Sequence, residues 1–360
     1  MSFSYGEKLR ISIFGQSHAE AVGVVIDGLP AGEKLDMDEI QNFMARRAPG
    51  GRLTTPRHET DEPRMISGLV DGCTCGAPLT AIIENADTRS GDYAYLSDTP
   101  RPSHADYAAI MKYGKYHDIR GGGYFSARLT APLCFAGAVA KGMLSKRGVE
   151  LGAHLQSVGK VDDERFDPVK VNADDFKRIL SHSLPVLNEE SIGRIEREVE
   201  SAREAGDSVG GVVECAAIGL PAGIGAPIFG GVENRVSSII FAIPAVRGIE
   251  FGAGFAASRM RGSEHNDAYY MDGKTVKSKT NRHGGVLGGL SSGMPLIFSA
   301  AFKPTPSIAI EQDSVSLSRG ENVKLSVKGR HDPCVALRAV PCVEAATAIA
   351  ILDMLLQEGR

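Results

Sequence analysis

The chain lacks the basic excess of a general nucleic-acid binder. Its 40 lysines and arginines are outnumbered by 44 acidic residues, for a formal charge of −4, so any local cluster of arginines needs a local explanation. It also lacks an uninterrupted apolar run of membrane-spanning length, and its start, MSFSYGEKLRISIFG, carries no apolar h-region. The expectation is a soluble, cytoplasmic protein without membrane or nucleic-acid partners. Six cysteines include Cys73 and Cys75, but no second pair and no histidine pair completes a metal site, so reduced thiols and no metal are expected. Neither a GxxxxGK[ST] loop nor a GxSxG elbow occurs, which leaves P-loop and α/β-hydrolase chemistry unsupported. The run GAGFAA at 252–257 fits the loose dinucleotide fingerprint, but the polar RMRGSEHNDAYYMDG after it is no amphipathic Rossmann helix.

What the chain does have is apolar content of 42% over 360 residues, enough for a large core. Two segments, 132–147 and roughly 342–357, are apolar nearly all round and predict helices buried on several sides. Residues 189–205 instead put Ile192, Ile195, Val199 and Ala202 on one stripe, the pattern of a surface helix. β-rich runs at 9–14, 21–27, 79–84, 211–218, 296–302 and 323–328 supply covering layers. Short connections between neighbouring strands favour antiparallel pairing. Two sequence echoes point to a duplicated unit. GLPAG occurs at 28–32 and at 219–223, and ISGLVDG at 66–72 followed by Ala77-Pro78-Leu79 is matched by LGGLSSG at 287–293 followed by Met294-Pro295-Leu296. The expected architecture is α+β, with central helices between two largely antiparallel sheets related by a pseudo-two-fold axis. No linker-like break occurs, so one domain over 1–360 is expected, with half-repeats of about 9–150 and 209–358.

The densest chemistry lies at 101–128, RPSHADYAAIMKYGKYHDIRGGGYFSAR. Two histidines, three arginines, two lysines and four of the nine tyrosines surround three consecutive glycines. Cationic and aromatic side chains beside a backbone that can approach a ligand closely suit a bulky anion with a flat face. Ser17-His18 sits on the connection between the first two strands, where a histidine can serve acid/base chemistry. Arg46, Arg47, Arg52, Arg57 and Arg64 follow a helix that cannot run past Pro49. They read either as a solvated basic loop balanced by Glu59, Asp61 and Glu62 or as a clamp for several anionic groups. FKPTPSI at 302–308 reads either as a phosphate-holding turn through Lys303, Thr305 and Ser307 or as a stiff connection. Arg330, His331 and Asp332 form a charged triplet just ahead of the last helix.

Taken in order, GQSHAEAVG, DGLPAG, RRAPGGR, TTPRHETDE, SHADY, KYG, RGGGYFSAR, KPTPSI and KGRHDPC resemble the chorismate synthase family over essentially the whole chain. That resemblance implies a β-α-β sandwich, usually assembled as a homotetramer. It also implies 1,4-anti elimination of phosphate from 5-enolpyruvylshikimate 3-phosphate, the last step of the shikimate pathway, with reduced FMN required but no net redox change. NADPH stays open as the reductant. By the same resemblance His18, His104 and Asp332 are the catalytic set. His104 protonates or positions the reduced flavin, His18 assists the departing phosphate, and Asp332 helps the transfer of the C6 proton. Ser17, Arg47, Arg52, Arg128 and Arg330 bind substrate. Ser126, Ala127, Gly288, Lys303, Thr305, Ser307 and Arg330 contact the flavin. The chain departs from the family pattern at Ala48, Ser103, Tyr124, Phe125, Leu129 and Pro244, which makes the flavin pocket the place to look for unusual contacts.

Overall fold

The structure, a computed structural model, describes residues 3–55, 59–86, 95–327 and 331–359. Arg57 and Arg330 lie outside the described residues.

Two five-stranded antiparallel sheets enclose a helical layer. The first sheet has the order Ser4–Tyr5, Arg10–Gly15, Ala21–Asp27, Leu79–Glu84, Arg64–Ser67. The second has the order Val161–Asp162, Glu150–Val158, Gly211–Ile218, Leu296–Phe302, Val246–Phe251. Between them lie Thr130–Ser145 and Ala336–Gln357. Both are buried for most of their length, as their all-round apolar sequences require. The last helix is long and apolar enough to cross a membrane, but its apolar window is 94% buried inside the fold. The two helices touch where Gly137 meets Ala345. A Cβ at Gly137 would stand 2.2 Å from the Ala345 Cα, so the approach demands glycine.

The last helix starts six residues earlier than its sequence suggested, and Pro341 lies inside it. Proline cannot donate the N–H that would close on the preceding turn, and the helix continues past it because tertiary packing outweighs that loss. The strand Glu150–Val158 was not legible because Gly152, His154 and Gln156 interrupt its apolar pattern. Gly152 is needed because the Phe176 ring lies 2.5 Å from where a Cβ would stand. The expected strand at 323–328 is found as Glu321–Leu325, paired with Gln312–Ser316 in a two-stranded hairpin outside both five-stranded sheets.

The duplication is visible in the turns. The glycine opening each GLPAG motif has a positive φ, +85° at Gly28 and +77° at Gly219. A Cβ there would collide with the carbonyl of Lys8 and of Gly148 respectively, at 1.8 and 2.0 Å. Thr74 Oγ1 donates to Pro30 O at 2.6 Å, and Ser291 Oγ donates to Pro221 O at 2.6 Å. These pairs set the register of the second echo. The hairpin Leu69–Val70/Cys73–Thr74 corresponds to Val286–Leu287/Leu290–Ser291, so residues 68–74 match 285–291. The sequence match of 66–72 with 287–293 is therefore four residues out of step, because repeated glycines gave a misleading alignment.

Candidate active site

A cavity of about 460 Å³ opens where the ends of the two central helices meet the loops of both sheets. Helix Met37–Ala45, capped by Asp36, delivers Arg47 just past its end. The turn Ala127–Leu129, capped by Ser126 Oγ accepting from the Arg128 N–H, delivers Arg128 ahead of the first central helix. The segment before helix Asp106–Tyr113 delivers His104. From the second half come Lys303, Thr305 and Ser307, just after the strand Leu296–Phe302, and Asp332, just before the last helix. All of these, with Ser126 and Ala127, line the cavity.

Ser17 and His18 do not line it directly. They are buried behind its wall, where Gly121 has φ +59° and a Cβ would stand 2.0 Å from His18 Cε1. Arg52 is not in the cavity. It is exposed and pairs with Glu196 at 3.0 Å and Glu200 at 3.1 Å on the surface helix. Gly288 is not there either, since it occupies the tip of the Val286–Ser291 hairpin with φ +61°. Asp71, its counterpart in the first half, has φ +50°, so the turn itself explains the residue.

The arginines are already partnered. Arg47 donates from Nε to Asp61 Oδ2 at 2.9 Å, with a second, closer contact from Nη2. Arg128 closes on both Asp61 and Glu59 and donates to Asn85 Oδ1 at 2.7 Å and Glu84 O at 2.9 Å. Burial pushes the Asp61 carboxyl up, but Arg47 and Arg128 outweigh it and hold it below its ordinary value. Asp332 accepts from the Thr55 N–H at 2.8 Å and from Arg338 Nη1 at 2.7 Å, and Arg338 also donates to Arg47 O at 2.9 Å. His104 lies 2.5 Å from Asp106. Burial pushes it below its ordinary value, Arg101 and Lys303 act the same way, and Asp106 opposes them. Burial also lowers Lys303, reinforced by Arg247.

Sequence reasoning missed Arg101, Asp106, Asn85 and Arg338. Arg338 could have been found only with the correct helix start, since it falls in the first turn. The aromatic signal at 101–128 splits in two. Tyr124 and Phe125 line the cavity, with ring centroids 4.8 Å apart, whereas Tyr107 and Tyr116 are exposed. Ser103, where the family pattern has glycine, has φ +57°. Its carbonyl and hydroxyl accept from Lys303 Nζ at 2.5 and 3.2 Å.

Fold and cavity together define an α+β enzyme whose site gathers buried arginines, a histidine and a carboxylate from both halves of the chain. The chorismate synthase family model matches residues 9–356. The chorismate synthase of Korarchaeum cryptofilum is 46% identical over 360 residues, covering 99% of this chain and 98% of its own. That of Thermococcus kodakarensis is 44% identical over 354 residues, covering 98% and 97%. A crystal structure of chorismate synthase superposes with a TM-score of 0.76 at 25% identity, covering 98% of this chain and 93% of its own. The chain belongs to the chorismate synthase family, a family of lyases.

Proposed function

We propose that the cavity binds 5-enolpyruvylshikimate 3-phosphate and expels its phosphate by 1,4-anti elimination, giving chorismate as the last step of the shikimate pathway, with reduced FMN bound alongside. The observation that carries this reading is the meeting of Arg47, Arg128, His104, Asp332 and the Lys303–Ser307 turn around one cavity. A substrate with a phosphate and two carboxylates needs several guanidinium groups before anything reacts.

The residues present fit a flavin. Phe125, Ile243, Pro244 and Val335 give apolar walls, and Lys303, Thr305 and Ser307 give a phosphate-holding set. Reduced flavin, when bound, supplies electron density to the ring that loses phosphate. The protein's own part is positional and electrostatic. Arg47 and Arg128 hold the anionic groups, and their positive charge stabilises the departing phosphate. The family resemblance assigns to His18 the proton delivered to that phosphate; since His18 sits behind Gly121 and not on the cavity lining, delivery needs that wall to shift or one water to relay it. Asp332, oriented by Arg338 and the Thr55 N–H, serves the C6 proton, and His104 sets the protonation on the flavin side.

The homotetramer is supported by the bare apolar side chains Ile228, Phe229 and Phe255, exposed by 75%, 88% and 84%. Light scattering that finds a monomer would remove it. NADPH oxidation by the purified protein with added FMN tests NADPH as the reductant. The deciding experiment is an anaerobic assay of phosphate release with and without reduced FMN. Release should require the reduced flavin, and equal release without it would overturn the mechanism.

A further inference from the structure

Asp106 accepts from four donors in a site where it is 1% exposed. Arg101 gives its backbone N–H at 3.1 Å, Nε at 2.7 Å and Nη2 at 2.8 Å, and the fourth contact is His104 Nδ1 at 2.5 Å. A nitrogen lone pair facing a carboxylate oxygen at that distance would be repelled, so Nδ1 carries the proton and Nε2 is left as the acceptor. Arg101 Nη2 also lies 3.1 Å from His104 Nδ1. A guanidinium only donates, so this approach is no bond to a protonated Nδ1. It places a cation against the ring.

A lone carboxylate behind a histidine does two things: it orients the ring and it stabilises the imidazolium. Here Arg101 cancels the charge of Asp106, so the orienting effect remains and the stabilising one is largely removed. The other titratable neighbours are Lys303 and His117, with Asp118 behind His117. The couple also reaches across the cavity, because Arg101 Nη1 donates to Ser307 Oγ at 3.2 Å.

We propose that Arg101 and Asp106 form a charge-neutral positioning couple that fixes His104 as its Nδ1–H tautomer and presents Nε2 to the cavity as a neutral acceptor. The inference rests on the reading above that His104 serves the reaction. Arg101 also lines the cavity, but both residues act here through His104 and are therefore positioning residues. The neutral state matters because an imidazole that stays uncharged until an anion arrives can then take up a proton.

The test uses the flavin-free protein labelled with ¹⁵N-histidine, titrated across neutrality by long-range ¹H–¹⁵N NMR, so it stands whether or not the turnover assay succeeds. Wild-type His104 should show the Nδ1–H tautomer. Arg101→Gln leaves the carboxylate uncancelled and should raise the His104 midpoint by about one pH unit or more, and Asp106→Asn leaves the guanidinium uncancelled and should lower it by a similar amount. Shifts in the same direction, or none, would overturn the couple, because loosened packing has no reason to give opposite signs. If a single variant does not fold, the double variant Arg101→Gln/Asp106→Asn removes both charges. Its midpoint should return close to wild type with a weakened tautomer preference, and a midpoint displaced by a full unit would equally overturn the proposal.

Discussion

Arg47 and Asp61 form an ion pair with each residue only 2% exposed, Nε donating to Oδ2 at 2.9 Å. Because Arg128 closes on the same carboxylate, one acid serves two cations that the family resemblance assigns to substrate. Taking these charges out of water is costly, and the cluster is tolerable only while every member is compensated. Asp61 is therefore the residue that lets the site hold two arginines ready.

Replacing Asp61 should expose that dependence. Asp61→Asn leaves two buried guanidinium groups short of negative charge and should cost about 3–5 kcal/mol of stability. Inorganic phosphate, which can take the place of the carboxylate, should recover part of the loss by binding only the folded state. Thermal unfolding with and without phosphate measures both effects, and an unchanged melting temperature would show that the cluster is not coupled in this way. The acid side follows from the same pair. The folded carboxyl is held below its ordinary value, so its stabilisation is complete above the unfolded carboxylate range and is lost as the pH falls through the lower, folded value.

Much of this arrangement was legible in the sequence. The strands at 21–27, 79–84, 211–218 and 296–302 have the boundaries their patterns gave, since apolar runs between turn residues leave little room for error. The central helices followed from the absence of a polar face. Roles for His104, Arg128 and Asp332 came from motif resemblance, and the structure brings these residues to one cavity. Partnership was what could not be read. Nothing local in the sequence says that Asp61 belongs to Arg47 and Arg128, or Asp106 to Arg101 and His104. Arg52 misled for the complementary reason: an arginine near a clamp looks like part of it until Glu196 and Glu200 appear on the adjacent helix.

Ser103 carries a cost and a compensation. Its φ of +57° is a left-handed conformation that strains an L-residue by about 1–2 kcal/mol, while its hydroxyl accepts from Lys303. Ser103→Gly should be close to neutral, because relief of strain is offset by the lost hydroxyl contact and by the greater freedom of glycine in the unfolded chain. Ser103→Ala keeps the strain and loses the hydroxyl, so it should be less stable by about 0.5–1.5 kcal/mol. Denaturant midpoints decide the order, and alanine matching serine would show that the Lys303 contact contributes nothing.

His154 makes stability fall as the pH rises. It is fully buried, with Nε2 2.9 Å from Glu214 and Nδ1 3.5 Å from Asp163. Burial lowers its pKa, but Asp163 and Glu214 outweigh that effect and the net direction is upward. A raised folded value means that the stabilisation is complete below the ordinary histidine range and is lost as the pH rises through the folded value. Wild-type unfolding free energy should therefore decline as the pH rises above the ordinary histidine range, and His154→Gln should lower stability while flattening the decline. A variant that keeps the wild-type slope would assign it to another group.

Gly121 offers a test of His18 that leaves the imidazole in place. Its φ of +59° already disfavours any side chain, and a Cβ would stand 2.0 Å from His18 Cε1 and 2.8 Å from Ser17 Oγ, so Gly121→Ala must drive the ring out of position. If His18 acts as a proton donor to the departing phosphate, displacement should cost nearly as much as deletion. Both Gly121→Ala and His18→Ala should then lose roughly 10²–10⁴-fold in rate, the range of a positioned acid or base. Substrate affinity should change little in either variant, because Arg47 and Arg128 are untouched. Single-turnover phosphate release with reduced FMN, alongside equilibrium substrate binding, separates the two effects. A Gly121→Ala enzyme that turns over at the wild-type rate would mean that the position of His18 is irrelevant to the chemistry, and the acid would have to be sought elsewhere in the cavity.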